Sequence, residues 1–213
     1  MNRTLALVAL LLLDGCNSPG TSDTGNGPGV ALAVAQNASN QGIVIHNRSG
    51  QEFPVTAAGF QRISASSAAG RDIAAGYVLN LPDGNGIVAV VHVYTEDTGF
   101  AAGQARDSIG YFQFQARKDG VVKQHPGATV VMPQRPAFTL QQGRNREGYE
   151  AIIDYTDMLG GKRQPVRTEL YSFAPAVPGF NIEYRFSYPA SLDVGQSIRD
   201  FMAVLPWTFR GQP

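Results

Sequence analysis

Residues 87–94 read Ile-Val-Ala-Val-Val-His-Val-Tyr, a run so dense in β-branched side chains that it belongs in the middle of a β-sheet. Just before it, Pro82-Asp-Gly-Asn-Gly86 contains two Xaa-Gly pairs, which reach the positive φ angles of a tight hairpin at little steric cost. On the other side of that turn, residues 72–81 place Ile73, Ala75, Tyr77 and Leu79 on one face with a period of two. Together these segments predict an antiparallel hairpin with a buried face, and they commit the chain to a fold built on a sheet.

Further strands are predicted at 53–64, with Gly59 as a bulge or bend, and at 148–155, 165–173 and 180–188. Gly160-Gly161-Lys162 and Pro175–Gly179 are the turns between the last three, and short apolar runs lie at 128–132 and 137–140. Residues 101–123 fit a helix, because Ala105, Ile109, Phe112 and Ala116 recur at i, i+4, i+7 and i+11. The alternation in Phe112-Gln-Phe-Gln and the turn residues Lys118-Asp-Gly keep a hairpin open there. A second stripe, Val194, Ile198, Phe201 and Leu205, predicts a C-terminal helix capped by Ser191, with Asp193 in its first turn and Pro206 at its end. The order β-β-β-α-β-β-β-β-α gives an α+β domain, an antiparallel sheet of about six to seven strands flanked by two helices. Charge suggests one register: pairing Glu169 with Arg185 avoids the like-charge pairs Arg167–Arg185 and Glu169–Glu183.

The N-terminus carries a different signal. Met1-Asn2-Arg3-Thr4 is followed by nine apolar residues, Leu5 to Leu13. That is too short for a membrane span, which needs roughly 20 residues, but it matches the apolar region of an export signal. The run ends at Leu13-Asp14-Gly15-Cys16, and Cys16 is the only cysteine in the chain. This tetrapeptide resembles the lipobox of bacterial lipoproteins; Leu13, Gly15 and Cys16 fit the motif, while Asp14 stands where small uncharged residues are usual. The resemblance implies a signal peptide over 1–15, cleavage before Cys16, and acylation of its thiol and new amine. It also implies a lipid-anchored partner bilayer, with Asn17 rather than Asp after the cysteine favouring the outer membrane, facing the periplasm. Acylation would also remove a lone thiol from an oxidising compartment. Residues 16–51 then read as the lipidated Cys16 and a flexible tether, with four Gly and two Pro between Asn17 and Gly29, and 52–213 as a single domain. The strand order, with Tyr184–Tyr188 running into the C-terminal helix, resembles the α/β/α sandwich of the photosystem PsbP subunit. That fold hosts binding and assembly proteins more than enzymes, which the resemblance carries over by analogy alone.

Function is less legible. Seventeen basic residues balance seventeen acidic ones, so there is no electrostatic footprint for nucleic acid. His46, His92 and His125 are not spaced with one another or with carboxylates as a metal site requires, and His92 reads as a hydrogen-bonded core or surface histidine. Glu150 and Asp154 share a strand face about 13 Å apart, too far for a glycosidase pair and consistent with a solvated face. Arg62, Arg71, Arg144, Arg146, Lys162 and Arg163 read as solubilising charges rather than a basic patch. Tyr171, Phe173, Phe180, Tyr184, Phe186, Tyr188, Trp207 and Phe209 read as core beneath the C-terminal helix rather than as a ligand groove. No catalytic, cofactor-binding or metal residue is named; Cys16, as the acylation site, is the single site residue. Two functions remain: a membrane-tethered, non-catalytic binding or assembly module with an envelope protein as partner, or an envelope hydrolase of peptidoglycan or polysaccharide whose residues converge only in space. Replacing Cys16 with Ser is expected to abolish incorporation of a fatty-acid analogue and leave the signal uncleaved. Equal labelling of wild type and Cys16→Ser would refute the anchor.

Overall fold

The computed structural model describes residues 42–205 apart from 69–71, 83, 96–105, 142–143 and 174–179. Two short strands, β1 (Val44–Ile45) and β2 (Glu52–Phe53), form a ribbon of their own. The main sheet contains β3 (Thr56–Ala57), β4 (Phe60–Ala68), β5 (Asp72–Asn80), β6 (Gly86–Thr95), β7 (Thr129–Gln141), β8 (Arg144–Leu159), β9 (Lys162–Phe173) and β10 (Phe180–Pro189). Helix α1 (Arg106–Gln124) lies between β6 and β7 in the chain, and α2 (Gly195–Val204) follows β10. The sheet is antiparallel throughout, with the order β3-β4-β5-β6-β10-β9-β8-β7. The chain climbs from β3 to β6, crosses by α1 to the far edge, and meanders back until β10 pairs with β6. The domain is therefore α+β, as its sequence pattern implies.

The sheet has eight strands rather than six or seven because the segment 53–64 is a hairpin, not a bent strand. Ala57 pairs with Phe60 around Ala58 and Gly59, whose φ angles of 47° and 83° are both positive, as a type I′ two-residue turn requires. Gly160 and Gly161, at 61° and 77°, turn β8 into β9 in the same way. The apolar runs at 128–132 and 137–140 are parts of one strand, β7, whose register slips twice between Val130 and Arg135. Pro133 and Pro136 lie in it, and an edge position is where a strand tolerates residues that cannot donate to a ladder.

One face of the sheet packs on α2. Ile73, Ala75 and Tyr77 of β5, Ile87, Ala89, Val91 and Val93 of β6, and Ile182, Tyr184, Phe186 and Tyr188 of β10 form a single core with Val194, Ile198, Phe201, Met202 and Leu205. The C-terminal stripe is thus buried as expected. The helix begins later than Ser191, however, with Val194 at its N-cap and no capping side chain, so packing rather than a cap holds its first turn. The other face carries a smaller cluster, Phe114 of α1 with Ala151 and Leu170. Helix α1 is confirmed over the hairpin alternative, but on a different stripe. Phe114 and Val121 are buried, whereas Phe112 is 47% exposed and Ala116 faces solvent.

The charge-derived register is wrong by one. Glu169 pairs with Phe186 and Leu170 with Arg185, which puts the charges of β9 and β10 on opposite faces. Burial decides this. A buried aromatic contributes about 1.5–3 kcal/mol, whereas an exposed cross-strand ion pair contributes about 0.2–1 kcal/mol. Because both faces are covered, Leu170 can be buried under α1 while Tyr184 and Phe186 are buried under α2.

Residues 42–51, read above as the end of the tether, carry β1 and several buried side chains. The buried Arg62 side chain donates to the carbonyls of Phe53 and, at 2.7 Å, Gly42. The His46 ring bonds the Ser49 hydroxyl at 2.7 Å, and both are buried with Gln51. Cys16 and the remainder of the tether lie outside the described residues. Glycines at close and open positions should respond oppositely to a methyl group. A Cβ at Gly148 would overlap the Ser172 carbonyl oxygen and the Phe173 ring, whereas one at Gly120 in α1 meets nothing within 4 Å. Gly148→Ala is expected to destabilise by about 2–3 kcal/mol and Gly120→Ala to stabilise by about 0.5–1 kcal/mol in urea denaturation.

Candidate functional site

Helix α1 does not rest on an apolar surface alone. The strand pairing β6–β10–β9 places Tyr94 beside Asn181, His92 beside Glu183 beside Ser172, and Val90 beside Arg185 beside Leu170, all on the face that α1 covers. Glu183 is 3% exposed, in the middle of the sheet. Arg185 donates to its Oε1 at 3.3 Å, and Arg117 of α1 approaches Oε2 to 3.7 Å, an ion pair without a hydrogen bond. The same guanidinium lies 4.5 Å from the centre of the Tyr94 ring. One turn earlier on α1, Gln113 accepts a hydrogen bond from Asn181 at 2.5 Å. The inward stripe of α1 is therefore Gln113, Phe114, Arg117 and Val121, two of them polar, which is why a purely hydrophobic stripe misplaces the helix.

Such a seam is costly. Desolvating Glu183 and two guanidinium groups consumes much of their mutual attraction, so the cluster contributes little net stability, while removing one partner strands a buried charge. Burial pushes the Tyr94 phenol up to about 12, reinforced by the Glu183 carboxylate and opposed by Ser172 and Arg117. Burial likewise lowers His92 to about 4, against the pull of Glu183. His92 is thus a neutral imidazole at neutral pH, its ring 5.2 Å from that of Tyr94.

The opposite face carries a second polar cluster on β8, β9 and β10. Glu169 accepts hydrogen bonds from the hydroxyls of Tyr171, at 2.5 Å, and Tyr188. Glu150, 5% exposed, has Oε1 3.2 Å from the same Tyr171 oxygen. Asp154 makes a two-pronged pair with Arg167, each bond 2.8 Å. Burial and the adjoining carboxylates raise both phenols well above their ordinary range. Glu150 and Asp154 do share a face, but it is not the solvated one expected. Two carboxylates converging on one phenol is the geometry nearest to a glycosidase pair, whose carboxyl groups flank the scissile bond about 5–5.5 Å apart in retaining enzymes and about 6.5–9.5 Å apart in inverting ones. Here the Tyr171 hydroxyl lies between the two carboxylates, and the cluster ties β8, β9 and β10 together.

The remaining singled-out residues fall apart in space. His125 lies 3.0 Å from Asp157 and stacks on Tyr155 at 3.8 Å, with its pKa lowered by burial against the pull of Asp157. Hydrogen bonds of 2.8 Å continue from Tyr155 to Thr168 and on to Ser187. His46 contacts Phe180 edge-on at 5.6 Å, in the N-terminal clip. Of the basic residues, Arg62 is buried, Lys162 and Arg163 are exposed, and Arg71 is not described. Phe173, Phe180, Tyr184, Phe186 and Tyr188 are core, with Tyr171 packed against them; Trp207 and Phe209 lie outside the described residues. Among the described residues, no three His, Cys, Asp or Glu are placed to share a metal ion, and no helix is long and apolar enough to cross a membrane. No protein-family model matches the chain, and no curated protein shows significant similarity to it.

Sequence reasoning missed the seam because Asn181, Glu183, Arg185 and Ser187, alternating with aromatics, look like a strand's solvent face. The buried neutral His92 has a consequence for acid stability. Between about pH 6.5 and 4 the unfolded chain binds a proton here that the folded chain does not, so stability falls as pH drops through that window. The full loss is about 3 kcal/mol. Urea denaturation at pH 7, 5 and 4 is expected to show that loss in wild type and a shallower one in His92→Gln.

Proposed function

We propose that this protein is a cell-envelope lipoprotein, held through acylated Cys16 at the outer membrane facing the periplasm, whose domain acts as a non-catalytic binding or assembly module. The observation that carries the binding part is the half-covered face of the sheet. Helix α1 packs on β8 and β9 and reaches β10, and beyond it Ala74, Val78, Val88 and Val90 form an apolar shelf that is only half-buried. A polar seam beside an apolar shelf, mostly on rigid strands, is the composition of a recognition surface. The hydrolase alternative has less support, because its best carboxylate pair is closed by Tyr171.

The lipobox resemblance and the Gly- and Pro-rich stretch behind it supply the localisation. An anchored domain on a flexible segment of about 25 residues reaches roughly 25–30 Å from the bilayer, enough to meet an envelope partner. Two measurements test this reading together. Membrane fractionation is expected to place the wild type with the outer membrane, and purified full-length protein is expected to release no soluble sugar or peptide from isolated cell-wall sacculi. Release of reducing ends or peptides would establish the hydrolase instead.

A further inference from the structure

The two edges of the main sheet differ. At β7, Pro133, Pro136 and two slips of register make a poor template for another strand. At the opposite edge, β3 covers only the start of β4. Thr56 and Ala57 pair with Gln61 and Phe60, and the Arg62 amide donates to the Val55 carbonyl at 2.8 Å. Among the described residues, no strand lies beside β4 on that side from Ile63 to Ser67. Ile63, Ser64, Ser66 and Ser67 are exposed there, and Ala65 is half-buried at the margin of the core under α2. From Ile63 to Gly70 the sequence holds no proline and no charged residue. Such an edge lacks the devices by which native sheets discourage strand addition.

The chain itself leads to this edge. Gly42, whose carbonyl accepts from the Arg62 side chain at 2.7 Å, is seated beside β4. Upstream, Val30-Ala-Leu-Ala-Val-Ala35 alternates large and small apolar side chains with a period of two and carries no charge. Six residues, 36–41, connect it to Gly42, and fully extended they span ~20 Å. That length lets residues 30–35 lie along β4 from Ser67 back to Ile63, antiparallel to it and in line with β3. A segment on so short a link meets the edge at an effective concentration in the millimolar range, an advantage that a separate partner or a second copy lacks.

We infer that Val30–Ala35 adds to the main sheet as a strand on the outer edge of β4. Directly opposite residues share a face, and Ala65 and Ser67 pair with Ala75 and Ile73 of the α2-side core. Placing Val34 opposite Ala65 and Leu32 opposite Ser67 therefore turns the large side chains toward that core. The added strand works as a strap. When docked, it shortens the free segment behind Cys16 from about 25 residues to residues 17–29, and the reach to about 20 Å. Only this effect on reach rests on the anchored reading proposed above; the pairing is independent of it.

The test is hydrogen exchange read by mass spectrometry on the full-length protein in detergent, at two protein concentrations. Amides of residues 30–35 are expected to exchange at least about tenfold more slowly than those of 17–29, equally at both concentrations. Leu32→Asp with Val34→Asp should remove that protection and speed exchange in 63–67. Ala31→Asp with Ala33→Asp, on the outward face, should keep the protection within about threefold of wild type. All four substitutions precede Gly42, so the fold of the described domain is the same in every variant. Free exchange of 30–35, or protection indifferent to Leu32→Asp and Val34→Asp, would overturn the strap while leaving the anchor to its own labelling test. Protection of 63–67 that grows with protein concentration would also overturn it, and would assign the edge to a second copy.

Discussion

The Phe201 ring of α2 meets Phe60 at 4.7 Å, Tyr77 at 5.2 Å, Phe186 at 5.6 Å and Tyr184 at 6.4 Å, four rings from β4, β5 and β10. Those strands belong to the two halves of the chain that α1 separates, and this contact holds the halves to one sidedness. Side chains alternate along a strand, so once Tyr184 and Phe186 face α2, Glu183 and Arg185 must face away from it. Ladder pairing then carries the choice outward: Leu170 follows Arg185, and Ala151 follows Leu170. Each ring contact adds about 0.5–1.5 kcal/mol beyond its buried area, which outweighs an exposed ion pair. The position of every charge on β9 and β10 is a by-product of that aromatic cluster.

The α1 seam is the consequence on the other face. A helix that must cross from β6 to the far edge passes over β9 and β10, where the sheet presents Glu183, Arg185 and Asn181 as well as Leu170. The helix answers with Arg117 and Gln113 beside Phe114 and Val121. A fully apolar underside would leave the Glu183–Arg185 pair without the second guanidinium and Asn181 without its acceptor, so the mixed stripe suits this sheet face. Among the described residues α1 packs on β8 and β9 and reaches β10, while Ala74 and Val78 of β5 and Val88 and Val90 of β6 are half-buried.

The N-terminal clip shows a similar substitution of a single interaction for a periodic pattern. Residues 42–51 offer only the short apolar run Ile43-Val44-Ile45, and the Arg62 guanidinium, which binds two carbonyls, of Phe53 and Gly42, holds the segment against the strand. No local propensity records a contact between residues twenty positions apart. The same limit hid the Tyr171–Glu169–Tyr188 clasp, which links one carboxylate to phenols on two strands.

Local chemistry, then, was readable wherever one residue's own conformational needs decide the outcome. The chain reverses between β5 and β6 with Gly84 at a positive φ of 81°, and the β-branched run 87–94, the paired glycines 160 and 161, and the stripe Val194, Ile198, Phe201 and Leu205 appear in the fold as their sequence implies. The α+β class and a helix between the third and fourth long strands follow closely from such signals. What only the tertiary structure decided was sidedness: which face of β9 and β10 meets which helix, and hence the register, the inward stripe of α1 and the seam around Glu183. With both faces of a sheet covered, a period-two pattern says that faces alternate but not which neighbour each one meets. That choice belongs to packing between segments far apart in the chain.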